Sequence, residues 1–495
     1  MLEKLESQQL KVKKWWWENA AEFKKSPENV ILDFKNSIKQ VIVVSAVRSD
    51  SFNTTDNLIN VAELLNKWDL DEAYEKIVDI EEFHKKVLIE KYWENEEIKN
   101  FITNYFIDNL WRKINDWINY KSDDKIYPIK DNDYTIWYWD ESFSIIGFWE
   151  ELSANLQVKL INNLDIDWLK AKKVDLNWIV KWLEKESESV VFEKLSSEIR
   201  NRVEEILELN EVPIISWYIP GFKWWIENKI GRWYSDATAA MTSVWLWEKY
   251  DVTLEIQKSV LGMLSADPRI ISDAKLIESI DYLTAKEITG VRWSQAKLLH
   301  SQVLRKELLK KWINVRLFDP FSHSKGTLIT KNKNHESSGV EYIWARDNII
   351  FFSISSWDMA DSWILAKVFE AVKKYNISVD IVSTSETEIS FTIDNWIKNE
   401  ILDSLVKDIQ KQLDIEENDD INFVKYEKNK ALLFCIGQNL AQSTWALSKA
   451  TTALALENIN VELMSQWSME RSMVFGIDAY NKNNAIEILH KEFIK

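Results

Sequence analysis

The chain has 495 residues, 46% of them hydrophobic and 28% charged, which is enough length for about two to four soluble globular domains with real cores. A formal net charge of −17 argues against nucleic acid or an anionic membrane surface as partner. A single cysteine, Cys435, rules out an internal disulfide, and with five histidines there is no Cys/His zinc spacing.

Tryptophan and glycine usage are both abnormal. There are 27 Trp and only 9 Gly, yet the two together come to about 7% of the chain, the ordinary share of glycine alone. One explanation fits both anomalies: most of these tryptophans are glycines in the living organism, encoded by UGA in a lineage that reads this codon as glycine. The tryptophans fall in turns between polar residues rather than on one face of an element. The rival explanation is a Trp-rich stacking surface for sugars or for a membrane interface. "MLEKLESQQLKVKK" lacks the apolar core of a signal peptide, and no stretch reaches 18 apolar residues, so the chain reads as cytoplasmic.

In chain order, "QVIVVSAV" (40–47) reads as a buried strand, followed by a polar loop and a helix over "LINVAELLNKW". Residues 66–122 are charged and helical in period, the pattern of a helical lid. "VPIISWYI" (212–219) and "VTLEIQKSV" (252–260) read as further strands, each leading into a loop and helical text. Repeated strand–loop–helix units predict an α/β sandwich whose ligands sit where strands end and helices begin. "GTLITKNKNHESSG" (326–339) reads as a polar linker. Beyond it, strand, helix, strand, strand recurs twice, from "NIIFFSIS" and from "ALLFCIGQ", with "EENDDINFVKYEKNK" (416–430) as a charged connector. That duplication predicts two ferredoxin-like modules.

Several short stretches carry chemistry. "KKWWWEN" places Lys14 ahead of Trp16 and Trp17, where glycines would let backbone N–H groups cradle phosphate. "VVSAVRSDSFNTTDNLI" places Thr55 just before apolar helical text, where its hydroxyl suits a helix N-cap. "GFWEELSANL" (147–156) carries Glu150, and "KIGRWYSDATAAM" (229–241) carries Arg232, Ser235 and Asp236 at a helix start. Arginine can grip carboxylates bidentately, and N–H groups at a helix start can hold developing negative charge. "IQKSVLGMLSADPRIISDAK" (256–275) and "SQAKLLH" (294–300) add Lys258, Arg269 and Lys297.

Taken in order, these motifs resemble those of the aspartate kinases, an amino-acid kinase domain followed by two ACT domains. The resemblance covers nearly the whole chain and implies a three-layer αβα sandwich over 1–330 with the lid near 66–122, then ferredoxin-like ACT domains over 340–410 and 428–495 that interleave. It implies transfer of the γ-phosphoryl group of ATP, with Mg²⁺, to the side-chain carboxylate of L-aspartate. Lys14 and Asp236 take catalytic positions. Thr55, Glu150, Arg232 and Ser235 fall on aspartate-binding positions. Lys14, Trp16, Trp17, Lys258, Ser259, Leu264, Arg269, Lys297 and Leu298 fall on nucleotide-binding positions. Met359, Ser362, Val379, Asp380 and Ser385 fall on the pocket for an amino-acid effector, lysine or threonine, with Asp380 suited to the effector ammonium. The tandem ACT tail implies a homodimer.

Trp16, Trp17, Trp149, Trp233 and Trp467 stand where the family has glycine. Glu18 and Asn19 replace its Ser/Thr pair, Ser259 a usual Asp, Leu264 a frequent Tyr, and Gln295 a glycine. Those departures support an alternative, a catalytically idle amino-acid sensor derived from such a kinase. A Trp-rich carbohydrate binder is the third reading.

Overall fold

The computed structural model describes residues 8–15, 26–44, 48–49, 52–53, 69–84, 95–105, 129–131, 134–136, 148–164, 166–174, 188–216, 234–258, 260–290, 306–320, 324–331, 339–356, 363–416, 421–466 and 471–494, with a few isolated positions between them. The chain divides into two compact units, Met1–Gly262 with Leu299–Lys331, and Met263–Leu298 with Asn332–Lys495.

The first unit contains β1 (Gln9–Trp15), α1 (Ser26–Lys35), β2 (Lys39–Val44), the ribbon β3 (Arg48–Ser49) and β4 (Phe52–Asn53), α2 (Leu70–His84) and α3 (Glu96–Tyr105). It continues with the ribbon β5 (Ile129–Asp131) and β6 (Tyr134–Ile136), α4 (Phe148–Asn162), β7 (Ala171–Val174), α5 (Glu188–Glu208), β8 (Val212–Ser216), α6 (Tyr234–Leu246) and β9 (Asp251–Gln257). β10 (Ser279–Asp281) and α7 (Tyr282–Gly290) belong to the second unit; α8 (Lys306–Lys311), β11 (Asn314–Phe318) and β12 (Thr327–Thr330) return to the first.

Seven strands of the first unit lie in one sheet in the order β12–β11–β9–β1–β2–β8–β7. All neighbours are parallel except the β11–β12 edge. A parallel sheet covered on both faces needs strands that are apolar throughout. "VIVV" of β2 and the isoleucines of β8 meet that need, with Val41, Ile42, Val43, Ile214 and Ile215 fully buried. Trp15, Ile42, Val44 and Ile214 pack with Val30 of α1 and Ala154 of α4 to form one core, while α6 packs against β1, β9 and β2. β12 was expected to be the start of a linker. Thr327 and Ile329 are instead buried, and the preceding Gly326, at φ +70, turns the chain where a Cβ would stand 2.3 Å from the Leu317 carbonyl.

In the second unit, β13 (Gly339–Ser355), α9 (Ile364–Lys374), β14 (Val379–Thr384), β15 (Glu388–Asp394) and α10 (Asn399–Leu413) are followed by β16 (Phe423–Gln438), α11 (Ala446–Leu456), β17 (Leu463–Ser465), β18 (Ser472–Asp478) and α12 (Lys482–Phe493). The two βαββα repeats share one antiparallel sheet, β14–β15–β13–β16–β18–β17, joined by the long central pair β13–β16. α9 and α10 cover Ile350, Phe352 and Phe391, and α11 and α12 cover Leu433, Cys435, Phe475 and Ile477. Residues alternating with these, Phe351, Leu432 and Val474, form a smaller cluster. The charged connector is a correction to the sequence reading: its second half is the first half of β16. Lys425 and Glu427 alternate with Val424 and Tyr426, so the charges occupy the solvent face of a half-buried strand.

Candidate active site

In the first unit the polar centre is built at the C-terminal ends of parallel strands. β1 brings Lys14, and the residue after β9 is Lys258, whose N–H donates to the Phe318 carbonyl at 3.0 Å. α6 presents Asp236 in its first turn. Side chains alternate across a strand, so Lys11 and Lys13 face the α1 side while Lys14 faces α6.

Lys14 Nζ lies 2.9 Å from Asp236 Oδ1, and Lys258 Nζ donates to Asp236 Oδ2 at 3.2 Å. All three residues are buried, Asp236 completely. Burial alone would raise the Asp236 pKa, but the two ammonium groups outweigh it and hold the carboxyl at about 2. One buried carboxylate thus holds two buried ammonium groups side by side. Such a site suits a polyanion, and the ammoniums are positioned by a carboxylate that stays ionised.

On the opposite face of β1, Lys13 is 2.6 Å from Asp33 Oδ2 and donates to Gln40 Oε1 at 2.8 Å, while Gln40 Nε2 donates to the Val30 carbonyl. Lys11 bridges Asp33 at 2.8 Å and Glu255 at 3.2 Å. These contacts fix the strand that carries Lys14. The sequence reading did not find them, because the partners are scattered over α1, β2 and β9.

A second group was also missed. Glu151 of α4 accepts from Ser216 Oγ at 3.1 Å and pairs with Lys173 of β7. Ser216 and Lys173 sit at the same end of the sheet, at the ends of β8 and β7. The signal available was the adjacent pair Glu150–Glu151 at a helix start. Only the first of the two matched the family motif.

Of the residues singled out from sequence, Trp16, Trp17, Thr55, Arg232, Ser259, Lys297, Leu298 and Ser362 lie outside the described residues, as does Trp467. Glu150 lies in α4 and Ser235 in α6, with their side chains outside the description. In the second unit Leu264 is half-buried and bridged to Leu276, and Arg269 is exposed with its guanidinium forked on Asp267 (Nε–Oδ1 3.0 Å, Nη2–Oδ2 2.5 Å). Of the effector positions, Met359 is buried in the α9–α10 core, Val379 opens β14, and Ser385 Oγ accepts from the Glu388 N–H at 2.9 Å. Asp380 is engaged internally: Arg346 of β13, itself buried, donates to it and to Asp394 Oδ1 at 2.7 Å. The cation expected from an effector is met here by a guanidinium of the chain itself.

Among the described residues, no group of three His, Cys, Asp or Glu could hold a metal ion, and no helix is long and apolar enough to cross a membrane.

Residues 28–305 match the model of the amino acid kinase family and residues 433–493 that of an ACT domain. The chain therefore belongs to the amino acid kinase family. Its relatives within that family are aspartokinases, so the resemblance read from the motifs is borne out. The chloroplastic aspartokinase 1 of Arabidopsis thaliana is 30% identical over 292 residues, 57% of this chain and 48% of that one. The chain spans about half the length of the first curated relatives it matches. Among solved structures, the aspartate kinase of Clostridium acetobutylicum superposes with a TM-score of 0.70 at 18% identity, covering 98% of this chain and all of that one. E. coli aspartokinase III, in complex with lysine and aspartate, gives 0.62 at 20% over the same shares. The same enzyme in complex with aspartate and ADP gives 0.63. These likenesses establish the fold.

Proposed function

We propose that the chain is an aspartate kinase: the side-chain carboxylate of L-aspartate attacks the γ-phosphorus of ATP, an O–P bond forms, the bond to the β,γ-bridging oxygen breaks, and 4-phospho-L-aspartate and ADP leave. The observation that carries this reading is the buried Lys14–Asp236–Lys258 cluster. Phosphoryl transfer between two anions needs alignment and charge neutralisation more than covalent help. Two desolvated ammoniums held by one carboxylate supply the neutralisation. In this reading Lys14, Lys258 and Lys297 meet phosphate charge, and Thr55, Glu150, Arg232 and Ser235 hold aspartate. Mg²⁺ would come with the nucleotide and would offset phosphate charge beside these lysines. The ACT pair over 340–410 and 428–495 serves as a dimerising sensor for lysine or threonine in a cytoplasmic enzyme.

The tryptophans are part of the proposal. Trp312 and Trp363 adopt left-handed backbone, φ 54 and φ 74, and among the described residues the other non-glycine positions with positive φ are Asn, Asp or Ser. Trp312 directly follows α8, at the position where a helix most often ends in glycine. A bulky indole is the wrong side chain for that conformation and glycine the right one. We take Trp16, Trp17, Trp149, Trp233, Trp312, Trp363 and Trp467 as glycines in the functional protein, the glycine form below. Initial-rate ADP release by the glycine form, with L-aspartate, L-glutamate or no acceptor, tests the reading. Release that depends on L-aspartate is expected; release indifferent to the acceptor overturns it.

A further inference from the structure

The second unit contains more than the C-terminal sheet. Met263–Leu298 belongs to it, and on the reading above, on which this inference rests, that segment carries the nucleotide contacts Leu264, Arg269, Lys297 and Leu298. Ala266 and Ile271 are buried in the same core as Phe475, Ile486 and Leu489. The segment is therefore built into the regulatory module's own core.

Two polar anchors fix it there. Ser265, 1% exposed, accepts from the Lys275 N–H at 2.9 Å, and its Oγ lies 2.8 Å from Nε2 of His490 on α12. The Ser265 carbonyl also accepts from the Ile343 N–H of β13 at 2.9 Å. Burial holds the His490 pKa below its ordinary value, with Asp273 opposing and Lys275 assisting. The second anchor is Asp281, buried at the start of α7. Its Oδ1 caps the helix by accepting from the Leu283 and Thr284 N–H groups at 3.0 and 3.2 Å. Its Oδ2 accepts from Thr284 Oγ at 2.7 Å, from Arg471 Nη1 at 2.6 Å and from Gln438 Nε2. Arg471 also donates to Thr284 Oγ1 at 2.9 Å. Gln438 ends β16 and Arg471 directly precedes β18, so both donors come from the second ACT repeat. Five donors on one buried carboxylate are more than a helix cap requires.

We infer that His490 and Arg471 are positioning residues for nucleotide binding: the second ACT repeat sets the placement of the 263–275 loop and of α7, and through them the affinity for ATP, while leaving the aspartate subsite alone. Neither residue needs to touch nucleotide. Each holds a segment whose neighbours do.

The test uses the full-length glycine form and four variants, Arg471→Ala, Arg471→Lys, His490→Leu and His490→Gln. KM for ATP, KM for aspartate and kcat are measured, together with ADP binding by calorimetry. Loss of hydrogen bonds to a buried charge is expected to raise KM for ATP about tenfold or more in Arg471→Ala, with KM for aspartate changed less than about twofold. His490→Leu should show the same split, and the Lys and Gln variants should recover most of it. Far-UV circular dichroism identifies any variant that fails to fold, in which case the conservative partner carries the comparison against wild type. Folded variants that keep wild-type KM for ATP and ADP affinity, or that lose kcat alone, overturn the inference. If wild type binds ADP but turns over no aspartate, the kinase reading fails while the ADP affinities still decide the anchoring claim. If wild type binds no ADP, both fall.

Discussion

Replacing Asp236 by Asn removes a buried carboxylate charge that holds two ammoniums and keeps the side chain's shape. Lys14 and Lys258 each lose a contact to an ionised carboxylate, at 2.9 and 3.2 Å, in a buried site. With the carboxyl held at about 2 against its ordinary 3.8, the ionised form contributes on the order of 2 kcal/mol to folding at neutral pH. Breaking a buried ion pair from one side typically costs about 3–5 kcal/mol, so a loss of about 3 kcal/mol is expected. The sign with pH follows from the depressed pKa. The stabilisation is complete above the unfolded value near 3.8 and is lost as pH falls toward about 2, so the gap between wild type and variant closes over that window. Equilibrium urea unfolding, with hydrogen exchange at β1 and β9 amides to follow the first unit by itself, measures both effects. Turnover should fall about 100-fold or more, since a preorganised electrostatic contact is lost. A variant as stable as wild type at pH 7, or a gap that stays constant from pH 7 to pH 3, would refute the reasoning.

Two further outcomes follow from burial and backbone geometry. Trp363→Gly should stabilise the second unit by about 0.5–1 kcal/mol, because left-handed backbone costs an L-residue about 1–2 kcal/mol and glycine gives back part of that gain through its freer unfolded state; thermal unfolding of otherwise identical chains reads it, and a drop in Tm would contradict it. Trp363 suits this test because its indole is 80% exposed and little packing is removed with it. Cys435 is fully buried and its thiol pKa is pushed up by that burial, so a thiol reagent should modify the folded chain negligibly and one site per chain after unfolding; rapid modification of the folded chain would show that β16 does not pack as described.

Local text announced much of this molecule, and its limits were physical. Apolar runs such as "VIVV" and "VPII" have the composition of parallel strands buried on both faces, and they form adjacent inner strands of the sheet. The duplicated strand–helix–strand–strand pattern likewise reappears as two halves of one sheet. The β16 strand was misread because its outward face carries Lys and Glu, and only pairing with β13 shows that alternate residues are inward. Lys14, Asp236 and Lys258 were each legible from a motif, but their convergence on one carboxylate was not, since they are separated by up to 244 positions in the chain. Glu151 and Ser265 lie inside quoted motifs, but nothing in those motifs pointed to Ser216 and Lys173 or to His490 as their partners. Contacts that depend on the sheet's order, and on which helix covers it, leave no mark in a stretch of ten residues.

The central claim is tested most directly by trapping the product. The glycine form and the tryptophan form of the chain are each incubated with ATP, Mg²⁺, L-aspartate and hydroxylamine, which converts aspartyl phosphate to its hydroxamate. The account predicts aspartyl hydroxamate from the glycine form and none from the tryptophan form, in which Trp16, Trp17 and Trp233 stand in place of the glycines that the phosphate loops call for. No hydroxamate from a folded glycine form that still binds lysine or threonine would contradict it and leave an idle amino-acid sensor as the better description.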